Sequence, residues 1–327
     1  MNYDFNSENM YNINASADQA KKAARGNLLP FTKARRILLI FTAICFVIGL
    51  SIICIRGFAW DTDFIGGTSM QINIGHSLTR DEISEITSIT EGIIKKKVSS
   101  VQRTGDGGTQ VLIKCTEIDT ETRDKVFEAL KERFSLSDAD RLNVTSVGAS
   151  VSADFRRSGI ISVSLAVALM LVYITIRFDF RSGLAAVFCL THDLFFMAAA
   201  YALLQLPMNS NVIAALLTIL GYSINATIIV FDRVRENVKQ NPNSTFDENV
   251  NLSINQTLLR SVNTTITTLL TIVMIYLLCV QSIKQFILPL IVGIIAGLYS
   301  SVCLAGNVWA LLRKIERKRA ADADTKK

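Results

Sequence analysis

Six stretches of the chain are apolar for long enough to cross a bilayer as helices: residues 37–55, 158–176, 184–204, 212–231, 264–280 and 286–311. A hydrocarbon core of about 30 Å needs roughly 20 such residues at the helical rise. The pattern predicts a polytopic α-helical membrane protein with six transmembrane helices. The fourth stretch is the least uniform. Its centre carries Gly221, Tyr222, Ser223, Asn225 and Thr227, and it ends in the charged group Asp232, Arg233, Arg235 and Glu236. A helix surrounded only by lipid would not hold that much polarity, because each polar group there needs a partner within the protein.

Between the first two stretches lie about 100 residues, a single-domain length, with a different pattern. Residues 68–74 alternate as a strand. Thr79-Arg80-Asp81-Glu82 is a capping box, followed by a helical stripe of Ile83, Ile86, Ile93 and Ile94. Strands are predicted at 98–104 and 109–115, joined by the turn Gly105-Asp106-Gly107-Gly108, then a helix over 120–134 and a last strand over 142–147. The order βαββαβ is the ferredoxin-like arrangement. Residues 244–261, with Phe246, Val250, Ile254 and Leu258 four apart, predict a helix on the membrane surface or an elbow before the fifth span.

Charge sets the expected orientation. With the N-terminus in the cytoplasm, the inside segments hold nineteen lysines and arginines, and the two short outside loops hold only Lys284. Both termini are then cytoplasmic and the domain is extracytoplasmic. The expected division is a disordered cytoplasmic leader at 1–35, a first span at 36–56, an extracytoplasmic α+β domain at 57–157, spans two to six at 158–312 with a cytoplasmic loop at 232–262, and a basic tail at 313–327. The first apolar run is too long for a signal-peptide h-region and no small-residue cleavage site follows it, so it is read as a retained span. The net charge of +6 in 327 residues follows from basic residues beside spans, and no nucleic-acid motif accompanies it. Of six cysteines only Cys115 lies outside the apolar runs, which excludes a disulfide within the domain.

No phosphate loop, metal-ligand spacing or nucleophile motif occurs, so no enzyme, cofactor or metal is expected. Candidate chemistry rests on polar groups inside the spans. His192-Asp193, mid-span, is either a titrating pair on an ion path or a structural hydrogen-bonded pair. Arg260 with Thr264, Thr267, Thr268 and Thr271 forms one helical stripe. It either lines a wet path or satisfies neighbouring helices, and Arg260 can equally snorkel to the interface. Asn225 and Thr227 read as interhelical glue, Gly293 and Gly297 as a close-packing motif, and Gly66 and Gly67 as a tight turn.

Several strings resemble the SecF family, membrane subunits of the bacterial SecDF export complex related in layout to half an RND-type transporter. Residues 63–68, Asp-Phe-Ile-Gly-Gly-Thr, are similar to its Asp-Phe-x-Gly-Gly-Thr, including Asp63, Gly66 and Gly67. Residues 147–151 resemble Val-Gly-Pro-Ser-Val, with Ala149 replacing Pro. Arg177-Phe178, His192-Asp193, residues 217–225 with Gly221, residues 231–237 with Asp232, Arg233, Arg235 and Glu236, and Gln256-Thr257-Leu258-x-Arg260 also match, so the resemblance covers about 30–312. It implies pairing with SecD as a twelve-span unit beside the SecYEG channel, with YajC- and YidC-like neighbours. It also implies use of a proton or sodium motive force to draw preproteins across after SecA. The family's usual acid after the Ser-Ile-Asn string is Ala226 here, which cannot bind a proton. An intramembrane acid is then expected on SecD or at Asp193. The alternatives are half of an RND-like lipid or small-molecule exporter, or a non-conducting structural subunit.

Overall fold

A computed structural model describes residues 28–279 and 281–324. Six helices are long and apolar enough to cross a membrane. The first, α1 (Arg35–Arg56), leads through the two-residue strand β1 (Ala59–Trp60) and the single-turn helix α2 (Thr62–Ile65) into an α+β domain. Its elements are β2 (Gly67–Asn73), α3 (Arg80–Ile94), β3 (Ser100–Thr104), β4 (Gln110–Cys115), α4 (Thr120–Phe134) and β5 (Arg141–Val147). The four strands form one antiparallel sheet in the order β3-β4-β2-β5.

Local signals in the sequence account for these elements. Thr79 and Glu82 exchange both bonds of a capping box at the start of α3, and Asp119 accepts from the Thr122 backbone to cap α4. Alternation points Met70 and Ile72 of β2, and Val111 and Ile113 of β4, to one face. There they meet Ile86 of α3 and Val126, Phe127 and Leu130 of α4, all buried. Each such side chain contributes roughly 1.5–3 kcal/mol on burial. Gly67 sits at φ 148°, and a Cβ there would stand 2.3 Å from the Cys115 carbonyl oxygen.

Helix α5 (Ala149–Arg177) follows β5 at once, then α6 (Phe180–Leu204), the short strand β6 (Pro207–Met208), α7 (Asn211–Gln240) and α8 (Phe246–Leu278). The last span is α9 (Gln281–Tyr299), a π-helical turn Ser300–Ala305 and α10 (Gly306–Asp324). Close packing uses glycines: a Cβ on Gly293 would meet the Ile219 side chain at 2.7 Å, and one on Gly49 would meet Phe195 at 2.8 Å. The domain is tied to the bundle by several bonds. Asp61 pairs with Lys114 at 2.5 Å, Asp63 accepts from the Ser210 backbone at 2.9 Å, and Arg156 of α5 donates to the Phe64 carbonyl. β1 and β6 pair in parallel beside them.

Several expectations are corrected. Residues 1–27 of the leader lie outside the described residues, as does Val280 at the end of the fifth stretch. Residues 28–34 are ordered, because Asn255 pairs with both the backbone N–H (2.9 Å) and carbonyl (3.0 Å) of Leu29, and Asn251 accepts from the Thr32 backbone at 3.2 Å. The cytoplasmic loop expected at 232–262 is helical apart from residues 241–245. Arg233 and Glu236 support α7 one turn apart, and Thr245 with Glu248 caps α8. Residues 246–261 do not form a separate helix: α8 runs from Phe246 through the fifth span without a break. Its Val250 and Ile254 pack in the bundle core, with Phe246 and Leu258 against it. The π turn and the β1–β6 pair had no expectation.

A buried polar cluster and an exposed polar face as candidate functional site

Helix α6 is half buried within the chain, and its centre places His192 and Asp193 at 5% and 0% exposure. The His192 ring nitrogen Nδ1 lies 2.8 Å from Asp193 Oδ1. The other carboxylate oxygen accepts from two serines on different helices. Ser300 Oγ donates at 2.8 Å, and Ser223 Oγ of α7 donates through a short bond. The carboxylate thus has three hydrogen-bond partners from three positions, His192, Ser223 and Ser300. No lysine or arginine pairs with it among the described residues. Gly297 packs beside the cluster, where a Cβ would sit at ordinary contact distance, 3.4 Å from Ser223 Cβ and 3.7 Å from Asp193 Oδ2.

Ser300 is the first residue of the π turn. A π bulge adds a residue to the helix and shifts the side chains that follow. Ser300 also donates towards the Gly297 carbonyl at 3.2 Å, and its own carbonyl accepts from Cys189 Sγ at 3.7 Å. On the far side of the histidine the rings of Phe196 and Tyr299 lie 4.5 and 5.8 Å away. Tyr299 reaches α1, bonding Thr42 Oγ1 at 3.0 Å and the Leu38 carbonyl at 3.2 Å. A polar thread thus joins α1, the last span, α6 and α7.

The other sequence candidates do not converge on this cluster. Asn225 and Thr227, two residues apart on α7, face opposite ways: Asn225 is exposed, and Thr227 is buried with no hydrogen-bond partner among the described residues. Arg260, Thr264, Thr267 and Thr271 are exposed on α8, and Thr268 is half exposed. Their hydroxyls bond back into their own helix, Thr267 and Thr268 to the Thr264 carbonyl at 2.9 Å each and Thr271 to the Thr267 carbonyl at 3.1 Å, with Thr264 to Arg260. They satisfy the helix and bridge no neighbour. With Thr218, Gly221 and Asn225 of α7, also exposed, they give two adjacent helices an outward polar face.

The charged block after the fourth span fastens helix ends. Asp232 pairs with Arg177 at 3.0 Å, Arg233 bonds Glu236 at 2.5 Å and Gln256 at 2.6 Å, and Arg235 donates to the Arg177 carbonyl at 3.2 Å. Asn237, buried, donates to Ser253 Oγ at 2.7 Å and Gln256 Oε1 at 2.8 Å. Gly66 and Gly67 serve the turn into β2. Ser300 as a partner of Asp193 escaped the sequence reading. Its only signal was a Ser-Ser pair inside an apolar run.

Six apolar helices with an ionisable pair buried at the centre and an interposed α+β domain define a multi-pass membrane protein. Residues 126–315 match the family model described as protein export membrane protein SecD/SecF, C-terminal. The chain is 34% identical over 304 residues to the protein translocase subunit SecF of Borreliella burgdorferi, covering 88% of this chain and 98% of that one. It is 36% identical over 284 residues to SecF of Acidaminococcus fermentans, covering 86% and 96%. The crystal structure of SecDF from Thermus thermophilus superposes with TM-score 0.78 at 30% identity, covering 89% of this chain and 39% of that one. The chain belongs to the SecD/SecF family of protein export membrane proteins.

Proposed function

We propose that this chain is a SecF-like, non-enzymatic subunit that pairs with SecD and, beside SecYEG and with YajC- and YidC-like neighbours, uses an ion motive force to assist preprotein export. The carrying observation is the buried Asp193–His192 pair, the only Asp, Glu or His within the described spans that is buried among several helices. A charge crossing 100 mV is worth about 2.3 kcal/mol, and a buried carboxylate held by hydroxyls on two other helices is a means of coupling that energy to helix position. Ala226 carries no proton, so the acid role falls to Asp193 and to the partner.

SecD is the fitting occupant of the exposed polar face of α7 and α8. Exposed Asn and Thr within a span, with Arg260 at its end, are costly against lipid and favourable against another polar helix. The fused SecDF relative, of which this chain covers 39%, supports a second half of similar build. We read the α+β domain as ferredoxin-like on its βαββαβ order and sheet order, and as extracytoplasmic, with both termini inside, on the distribution of Lys and Arg. Its ties at Asp61, Asp63 and Arg156 make it a lever on α5 and α7 for an emerging preprotein.

The test is Asp193→Asn in the full SecD-containing complex, reconstituted in vesicles with SecYEG. The expected result is normal insertion and SecD association with loss of both ion flux and the motive-force-dependent part of export. Undiminished flux and export overturn the ion-coupled reading and leave a structural subunit. Failure of the unsubstituted chain to associate with SecD overturns the pairing itself and leaves the RND-like exporter half.

A further inference from the structure

The opposite use of charge occurs at one end of the bundle. Two clefts of about 240 and 200 Å³ adjoin there, sharing Phe246 and Arg313 as a common wall. Arg235, Lys239, Lys314 and Arg317 complete their cationic lining, and Trp309 and Phe178 form an aromatic floor. The Arg313 guanidinium lies 4.3 Å from the Phe246 ring centroid, which holds it in place. Trp309 packs against the same ring at 5.2 Å.

The acidic groups nearby are already engaged. Asp179 spends one oxygen on the Ser182 backbone at 2.6 Å and the other on the Trp309 indole at 3.3 Å. Asp247 lies 3.6 Å from Arg35, and Glu316 pairs with Arg181. By contrast, Arg235, Lys239, Arg313, Lys314 and Arg317 form no salt bridge among the described residues, although Arg313 feels the more distant Asp179 and Glu316. Five cations, an aromatic floor and a double cleft are what a phosphodiester with a glycerol unit requires. The clefts lie at the level where the last span leaves the apolar region, and from Asp179 the exposed apolar stripe Phe180, Leu184 and Phe188 of α6, 59%, 40% and 45% exposed, runs along the span. That stripe suits an acyl chain.

We propose that this double cleft binds the headgroup of an anionic phospholipid, with Arg313 and Lys239 as the principal phosphate contacts. A basic pocket between helix ends at the membrane boundary is suited to such a lipid. Bound there, the lipid would bridge the α7–α8 turn to the last span, whose π turn carries Ser300.

The test offers the full-length chain in detergent equal amounts of phosphatidylglycerol and phosphatidylcholine and counts retained lipid by native mass spectrometry. Phosphatidylglycerol is expected to be retained preferentially, and Arg313→Gln with Lys239→Gln to weaken that preference about fivefold per cation removed. Arg313→Lys keeps most of it and shows that the site, when charged, still works. Lys96→Gln with Lys97→Gln, in the distant domain, leaves it unchanged. Equal retention of both lipids, an equal fall in the distant variant, or no fall in the cleft variant overturns the proposal. Complete displacement by excess inorganic phosphate overturns it too, since the cleft would then be a site for free anions.

Discussion

Replacing Asp193 separates the structural work of the buried cluster from its ionisable character. Asparagine has nearly the same shape. With its amide turned so that the oxygen faces Ser223 and Ser300, both hydroxyls keep their acceptor, and its NH₂ group can donate to His192 Nδ1 in the tautomer that carries its proton on Nε2. Leucine fills the volume and satisfies none of them. Ser300 has the Gly297 carbonyl at 3.2 Å to fall back on, which leaves Ser223 and His192 as the stranded donors. A buried polar group without a partner costs about 1–3 kcal/mol, and interhelical bonds measured in a bilayer average lower, about 0.6 kcal/mol. The Leu variant should therefore be less stable than the Asn variant by about 1–4 kcal/mol. Cys189, fully buried one turn away on α6, reports on the opening of this region. With the other five cysteines replaced, its alkylation is followed on heating in bicelles. The Asn variant should protect Cys189 to nearly the wild-type temperature and the Leu variant should expose it well below. Equal protection in the two variants would refute the hydrogen-bond account of the cluster.

Three further perturbations test other parts of the molecule. Gly67→Ala drives a Cβ to 2.3 Å from the Cys115 carbonyl at a backbone φ of 148°. It should unzip the Thr68–Cys115 end of the β2–β4 ladder, cost about 2–4 kcal/mol and make Cys115 reactive to a water-soluble maleimide. Glu82 is held down to about pKa 2, chiefly by the Thr79 backbone N–H, then by the His76 and Thr79 side chains. Its folded value lies below its ordinary value of 4.5, so its stabilisation of α3 is complete above about pH 4.5 and is lost as pH falls towards 2. Glu82→Gln should flatten the acid limb of the domain's melting curve, and an unchanged limb would refute the assignment. Asn255→Ala removes both bonds to Leu29 and should speed tryptic cleavage after Lys33 several-fold; an unchanged rate would show that the strap is held elsewhere.

Much of this architecture was written in local pattern. Apolar runs of about 20 residues must be helices in lipid, because the backbone has no other partner there. Alternation and capping boxes specify the strands and helices of the α+β domain, since side-chain periods of 2 and 3.6 are properties of a single segment. His192-Asp193 stood out because two ionisable groups in mid-span demand an explanation. The tertiary structure decided which groups answer them. Ser300 of the last span and Ser223 of α7 both reach Asp193 Oδ2, from other helices, 107 and 30 residues away in the sequence. The same packing sends Asn225 outward and Thr227 inward, a distinction of face that a polar string cannot reveal by itself. It also keeps the threonines of α8 bonded to their own helix, and it continues that helix through a stretch whose stripe looked like a surface element. Periodicity is set by neighbours in sequence. The partner a buried polar group finds is set by where whole helices come to rest against one another.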